Sequence, residues 1–313
     1  MPKKTVFTYL ILILILFLLV SGYYAIAFQT QTTESITTGT PASLPTETPA
    51  PVSFDSARAY ADVQTQVDFG PRIPGSEGHA KIEAWMRAEL ESAGWTVEIQ
   101  NTSRMGHPIH NIIAKRNDQA PEIILAAHYD TRMIADQDLD PAKQTQPVPG
   151  ANDGASGVAV LLELARTLPK NTQPVWLVFI DTEDNGRIDG WDWILGSRAF
   201  VEEVPVKPRA VVILDMIGDA NLNINYEKNS DVALRTEIWN TAAAQGHGDV
   251  FIPAEKWSMI DDHTPFLEAG IPAVDLIDFD YPYWHTTQDT PDKVSPQSLY
   301  AVGDTLWHWI VQP

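Results

Sequence analysis

Hydrophobic and polar positions divide this chain into three stretches. An apolar run over residues 5–20 continues through Tyr23 and Tyr24 to Phe28 with no charge inside it, which predicts an N-terminal hydrophobic helix. Residues 29–53 are Ser, Thr and Pro with almost no apolar side chains, too little burial to offset the entropy of ordering, so an extended tether is expected. From residue 54 apolar periodicity returns. Residues 54–69 and 77–93 have helical spacing on either side of the turn-rich segment 70–76. Residues 96–99 and 109–114 predict strands, as does 273–277. The apolar runs 123–127, 175–180 and 211–214 are of the kind found in strands covered on both faces. Helices are expected over 158–168, 231–245 and 296–311. Strands alternating with helices predict an α/β fold, a three-layer sandwich with a mixed, largely parallel central sheet whose sites form at the carboxyl ends of strands.

The flanks of the first segment give it a direction. Lys3 and Lys4 precede the apolar run, so a signal-anchor would place everything downstream outside the cytoplasm. Ala25-Ile26-Ala27 is also a small-x-small site, which fits a cleaved signal peptide. The expected organisation is therefore residues 1–28 as anchor or signal, 29–53 as tether and 54–313 as one catalytic domain. Its location is membrane-anchored and extracytoplasmic, or secreted, and the protein is expected to be a monomer.

Composition narrows the chemistry. The chain has 21 Lys and Arg against 41 Asp and Glu, a formal charge of -20, which repels nucleic acid and favours small or cationic partners. It contains no cysteine, so thiol catalysis, disulfides and cysteine-ligated zinc are excluded. Any metal must be held by His and carboxylates.

Polar residues follow the apolar strands in a telling way. His128-Tyr129-Asp130 follows the first buried run, Asp181-Thr182-Glu183-Asp184 the second and Asp215 the third, while Trp284-His285 comes after residues 273–277. Taken singly, an acidic residue after a strand is ordinarily a helix cap or a solvated turn, and Asp153 in the segment PGANDGASG could simply start a helix. Together, neighbouring strands would deliver His and several carboxylates to one cleft, which is a zinc-compatible ligand set.

The segments HYDTR, PGANDGASGVAVLLELAR, LVFIDTEDNG followed by GSRAF, LDMIGD, IDDHTPFLEAGIPA and YWHTTQDTPDKV resemble, in order, the signatures of a zinc exopeptidase family, peptidase family twenty-eight. That family holds bacterial leucyl-type aminopeptidases and glutaminyl-peptide cyclotransferases. The resemblance covers residues 54 to the C-terminus. It implies that Asp153, Asp184 and His285 hold a zinc ion, that Glu183 is the general acid/base, and that a second zinc, where present, takes His128 and Asp215 with Asp153 bridging. In the cyclotransferase pattern Asp215 instead joins Asp262 in a hydrogen-bonded carboxylate network.

The segment Asp261-Asp262-His263 and the Trp284 before His285 resemble the cyclotransferase branch, with Trp191 or Trp193 expected as a second wall of the substrate pocket. Asp184 departs from the Glu common at that position in animal cyclotransferases, and the cysteine pair of those enzymes is missing. The implied activity is zinc-dependent chemistry on peptide or protein N-termini, most closely glutaminyl cyclisation. Aminopeptidase cleavage is the alternative, and a non-catalytic binding ectodomain a third reading. Residues 133–149 are expected to rim the cleft.

Overall fold

The computed structural model of the chain describes residues 53–312. The expected anchor or signal and nearly all of the tether lie outside these residues. Among the described residues, no helix is long and apolar enough to cross a membrane.

The chain enters through helix α1, Ser56–Asp68, whose N-terminal amides are capped by the Asp55 carboxylate. Helix α2, Glu77–Ser92, follows, capped by Ser76. Strands β1, Thr96–Arg104, and β2, His107–Lys115, form an antiparallel hairpin. Its turn residues Met105 and Gly106 have φ of 53° and 88°, the left-handed pair that a two-residue hairpin requires. Next come β3, Ile123–His128, α3, Ala155–Thr167, β4, Val175–Ile180, α4, Leu195–Glu203, and β5, Ala210–Asp215. The remainder comprises β6, Ile224–Tyr226, α5, Val232–Ala244, β7, Phe251–Glu255, α6, Thr264–Glu268, β8, Ala273–Ile277, and α7, Pro296–Val311.

The main sheet has the order β1-β2-β4-β3-β5-β8, with β4, β3, β5 and β8 mutually parallel and the hairpin antiparallel at one edge. Every residue of β3, β4, β5 and β8 is buried, because helices cover both faces. Successive strand residues point to opposite faces, and the core divides accordingly. Leu125, Leu177 and Val212 pack with residues of α1, α2, α3, α5 and α7. Ile124, Val178 and Ile213 pack with Phe200 of α4 and Phe266 of α6. The expected three-layer architecture is therefore present. From β3 the chain passes to β4 on one side and then to β5 on the other, so the crevice at the carboxyl end of β3 is the topological switch point.

Several elements depart from the expectation. The hairpin strands run well beyond 96–99 and 109–114, because β1 is a half-solvated edge strand in which polar side chains are tolerated. The short parallel pair β6–β7 and helices α4 and α6 had no clear apolar period to announce them. Helix α3 begins three residues earlier than expected, since Ala155, Ser156 and Gly157 are small residues buried against the sheet.

Gly157 shows why small residues are needed there. A Cβ at this position would lie 2.9 Å from Ala127 Cβ and closer still to the Leu214 carbonyl oxygen, so α3 sits directly on β3 and β5. Replacing Gly157 with Ala is expected to destabilise the protein by about 1–3 kcal/mol through overpacking, measured by denaturant unfolding. Unchanged stability would mean that the helix can move away from these strands without penalty.

Candidate metal centre

Strand ends and the turns after them bring the candidate residues together at the switch point. His128 closes β3, Asp215 closes β5, Glu183 and Asp184 follow β4, Asp153 precedes α3, and His285 follows β8. Two sets of ligand-capable atoms lie within 4.8 Å of one another: Asp153, Asp184 and His285 form one, and His128, Asp153 and Asp215 the other. Asp153 belongs to both, so the arrangement has a natural bridging position.

Further carboxylates fix the turns. Asp130 accepts from the backbone N–H of Glu183 at 3.0 Å and of Asp184 at 3.3 Å, which pins the two acids beside each other. Asp289 accepts from the N–H groups of Asn152 at 2.8 Å and Asp153 at 3.2 Å, and from the Tyr281 hydroxyl at 2.6 Å. Thr182, Met216 and His285 hold left-handed backbone at φ of 55°, 47° and 54°. The first two adjoin Glu183 and Asp215, so strained residues cluster where the side chains must be aimed.

His285 Nε2 lies 2.8 Å from Asp184 Oδ1 and 3.8 Å from Asp153 Oδ2. His128 Nε2 lies 3.1 Å from Asp153 Oδ1 and 3.2 Å from Asp215 Oδ1. The second oxygens of Asp153 and Asp184 are buried with no hydrogen-bond partner, lone pairs of the kind that a cation satisfies. One imidazole and two carboxylates suit a divalent metal such as zinc. The donor set therefore fits the group that the sequence implies.

The protein's own groups shift these side chains strongly. Burial, followed by the charge of Asp184, raises the Glu183 carboxyl well above its ordinary range. Burial, joined by Asp153, pushes Asp184 up to about 6 despite His285. Burial likewise pushes Asp215 up to about 7, although His128 opposes it. For His285 burial alone would lower the value, but the charge of Asp184 and contacts with Asp136 and Asp184 outweigh it and push it up to about 9. Carboxyls raised beside imidazoliums mark a cluster with more negative charge than its own cations offset.

The centre opens into a cavity of about 310 Å³. Its acidic side is Asp153, Glu183, Asp184, Asp215 and Asp261, and its apolar walls include Trp193, Phe279 and Trp284. Trp284 stacks on the His285 ring with centroids 3.8 Å apart. A wider groove of about 630 Å³ runs elsewhere past Asn221, His247, Asp249 and Tyr300, without a convergent catalytic set.

This placement decides one open expectation and corrects another. Trp191 is not among the cavity residues, since it stacks on His107 at 3.5 Å and packs against Ile109, Leu195 and Ala199; Trp193 takes the wall position. The expected network of Asp215 with Asp262 is not formed, because Asp262 is fully buried behind the cavity without a hydrogen bond to Asp215, whereas Asp261 lines the cavity beside Asp215. The Asp-Asp pair was legible in the sequence, but which member faces the cavity depends on the turn that starts α6. Sequence reasoning also missed the supporting Asp289 and assigned no role to Asp130 or Asp136. The acidic start of segment 133–149 was the available signal for Asp136.

Comparison with known proteins places this geometry in context. The signature of Peptidase family M28 matches residues 111–310. The glutaminyl cyclase of Porphyromonas gingivalis is 36% identical with a TM-score of 0.77, covering 82% of this chain and 97% of its own. A leucine aminopeptidase precursor from Bacteroides thetaiotaomicron is 31% identical with a TM-score of 0.79, covering 84% of this chain and 99% of its own. The glutaminyl-peptide cyclotransferase-like protein of Bos taurus is 25% identical over 278 residues, covering 75% of this chain and 70% of its own length. The matched region runs from β2 into α7 and takes in every one of the centre's candidate ligands, so the chain belongs to peptidase family M28.

Proposed function

We propose that this chain is a zinc-dependent glutaminyl-peptide cyclotransferase, closing an N-terminal glutamine into pyroglutamate with release of ammonia. The observation that carries this reading is the cavity, whose tryptophan and phenylalanine walls stand directly beside Glu183 and the Asp153–Asp184–His285 group. At about 310 Å³ it is at the small end of ligand sites and suits a single residue with its amine. The similarity to several glutaminyl cyclases supports the same assignment.

Asp153, Asp184 and His285 would hold the zinc, and the zinc would supply Lewis-acid polarisation of the side-chain amide carbonyl. Glu183 takes a proton from the attacking α-amine and gives it to the departing ammonia, so that one N–C bond forms as another breaks. Its raised affinity for a proton suits both halves of that transfer. Asp261 and Asp215, both lining the cavity, hold the amine and its protons in place. Trp193, Phe279 and Trp284 shield the amide from solvent.

Aminopeptidase cleavage is the second reading, favoured by the His128–Asp153–Asp215 group and by the leucine aminopeptidase precursor's similarity. There, Glu183 would deprotonate a water that attacks the first peptide bond. We assign one zinc for cyclisation, with Asp153 able to bridge a second. From the sequence we further assign the enzyme to peptide and protein N-termini outside the cytoplasm.

The residue 54–313 protein, loaded with zinc, should release ammonia from a peptide beginning with Gln and leave one beginning with Leu intact, as read by mass spectrometry. Loss of the first residue from the Leu peptide would replace this function with aminopeptidase cleavage. Glu183→Gln should lower turnover by about 10²–10⁴-fold with its zinc content kept, measured by steady-state kinetics and metal analysis.

Metal uptake should depend on pH with a definite sign. His285, pushed up to about 9, carries a proton below that value and must lose it to become a ligand. Apparent zinc affinity should therefore rise with pH up to about 9, with proton release on binding that vanishes above it. Calorimetry in buffers of different ionisation enthalpy measures this. Proton-independent binding below that pH would mean that His285 is already neutral there or is not a ligand.

A further inference from the structure

The loop after β3 makes a contact on the far side of the His285 ring. Asp136 Oδ1 lies 3.5 Å from His285 Nδ1, opposite the Nε2 atom that faces Asp184 and Asp153. Asp136 is itself gripped by Arg132, whose Nε donates to Oδ1 at 2.8 Å and whose Nη2 donates to Oδ2 at 2.7 Å. This two-pronged pairing fixes the plane of the carboxylate as well as its charge.

Arg132 reaches further. Its side chain is only 2% exposed, and Nη1 donates to the backbone carbonyls of Asp184 at 2.8 Å and Gly186 at 3.2 Å. The guanidinium also lies 5.0 Å from the Trp193 ring centroid, and that ring runs nearly parallel to His285 at 5.9 Å and 19°. The Gln137 N–H donates to the His285 carbonyl at 3.2 Å. One loop thus holds the imidazole ring, the backbone beside it and the turn that carries Asp184.

We propose that Arg132 and Asp136 are a positioning pair for His285: Asp136 accepts the Nδ1 proton and leaves the Nε2 lone pair facing Asp153 and Asp184. The bond at one ring nitrogen sets the tautomer at the other. A carboxylate on the outer nitrogen of a ligand histidine also raises its basicity and fixes its orientation. Arg132 keeps that carboxylate in place and links it to Asp184, so both ligands answer to one buried guanidinium. The inference rests on His285 being a metal ligand and is independent of whether the enzyme cyclises or hydrolyses.

A purely structural role would be to stitch the loop to the segment around His285, and Asp138 provides the control. It accepts from the Thr287 N–H at 3.0 Å and the Thr287 hydroxyl at 2.6 Å without touching the ring. Zinc dissociation constants are measured by chelator competition for the wild type, Asp136→Asn, Asp136→Glu and Asp138→Asn. Asp136→Asn should weaken zinc binding by about 10–100-fold, Asp136→Glu should recover part of the loss, and Asp138→Asn should stay within about threefold of wild type. Wild-type affinity in Asp136→Asn, or an equal loss in Asp138→Asn, overturns the positioning role. Wild-type protein that takes up no zinc overturns the metal reading and this inference together.

Discussion

Buried negative charge is the constraint on which the rest of this structure depends. Asp153, Glu183, Asp184, Asp215, Asp262 and Asp289 all sit in one nearly solvent-free region, and an ionised carboxylate in such surroundings is stable only when paired or coordinated. The cations that face the region are few. Arg72 is completely buried and donates to the carbonyls of Tyr129, Pro149 and Gly150, and burial draws it down to about 10. It therefore acts on the acids through space and spends its hydrogen bonds on the turn before Asp153. Arg132, His128 and His285 approach from other sides, and Arg187 lines the cavity. A divalent cation is the natural complement of this cluster, which links metal binding to folding stability.

The same constraint shapes the hydrogen bonding of the surrounding frame. Carboxylates held close together repel, so each must be fixed by something other than its neighbour. Asp130 and Asp289 do this through backbone N–H groups, which cannot rotate away as a side-chain donor would. The left-handed residues Thr182 and Met216 are tolerated because parallel strands buried on both faces over-determine the turns that follow them. Gly154 completes the arrangement, since a Cβ there would fall within 2.6 Å of His128 Nε2. Packing energy in the sheet thus offsets strain and repulsion at its edge.

What could be read from the sequence follows from this division. Strands covered on both faces write themselves as continuous apolar runs, so β3, β4, β5 and the acids at their ends, Glu183, Asp184 and Asp215, were legible from the pattern, whereas the roles of Asp153 and His285 came from the family resemblance. Elements that are short or half open to water carry no such mark. The outer half of the β1–β2 hairpin, residues 100–108, is polar because one side meets water, and β6 and β7 are too short to show a period. Side-chain direction was the other blind spot. Asp261 and Asp262 are adjacent acids, as Trp191 and Trp193 are near neighbours, and only the local backbone decides which member faces the cavity. Asp136 was hidden differently: it lies in a loop, and its meaning comes from a histidine about 150 residues later.

The walls and floor of the cavity also bear on the choice between cyclisation and hydrolysis. Both reactions need the same parts: a polarised carbonyl, Glu183 to move a proton, and acids to hold an amine. They differ in the nucleophile. For an N-terminal glutamine, the amine and the side-chain amide carbon belong to one molecule, and well-oriented intramolecular attack reaches effective molarities of about 10⁵–10⁸ M, far above any solvent concentration. Trp193, Phe279 and Trp284 need only hold the side chain folded back toward its own amine for cyclisation to win, even where some water enters. A leucine side chain offers no carbonyl, so only water attack on the peptide bond remains for it. That reaction needs the first peptide bond itself to reach Glu183 and the Asp153–Asp184–His285 group. A cavity of about 310 Å³ walled by Trp193, Phe279 and Trp284 suits the side chain there instead, so its size and apolar walls, more than the identity of the catalytic residues, favour cyclisation in this chain.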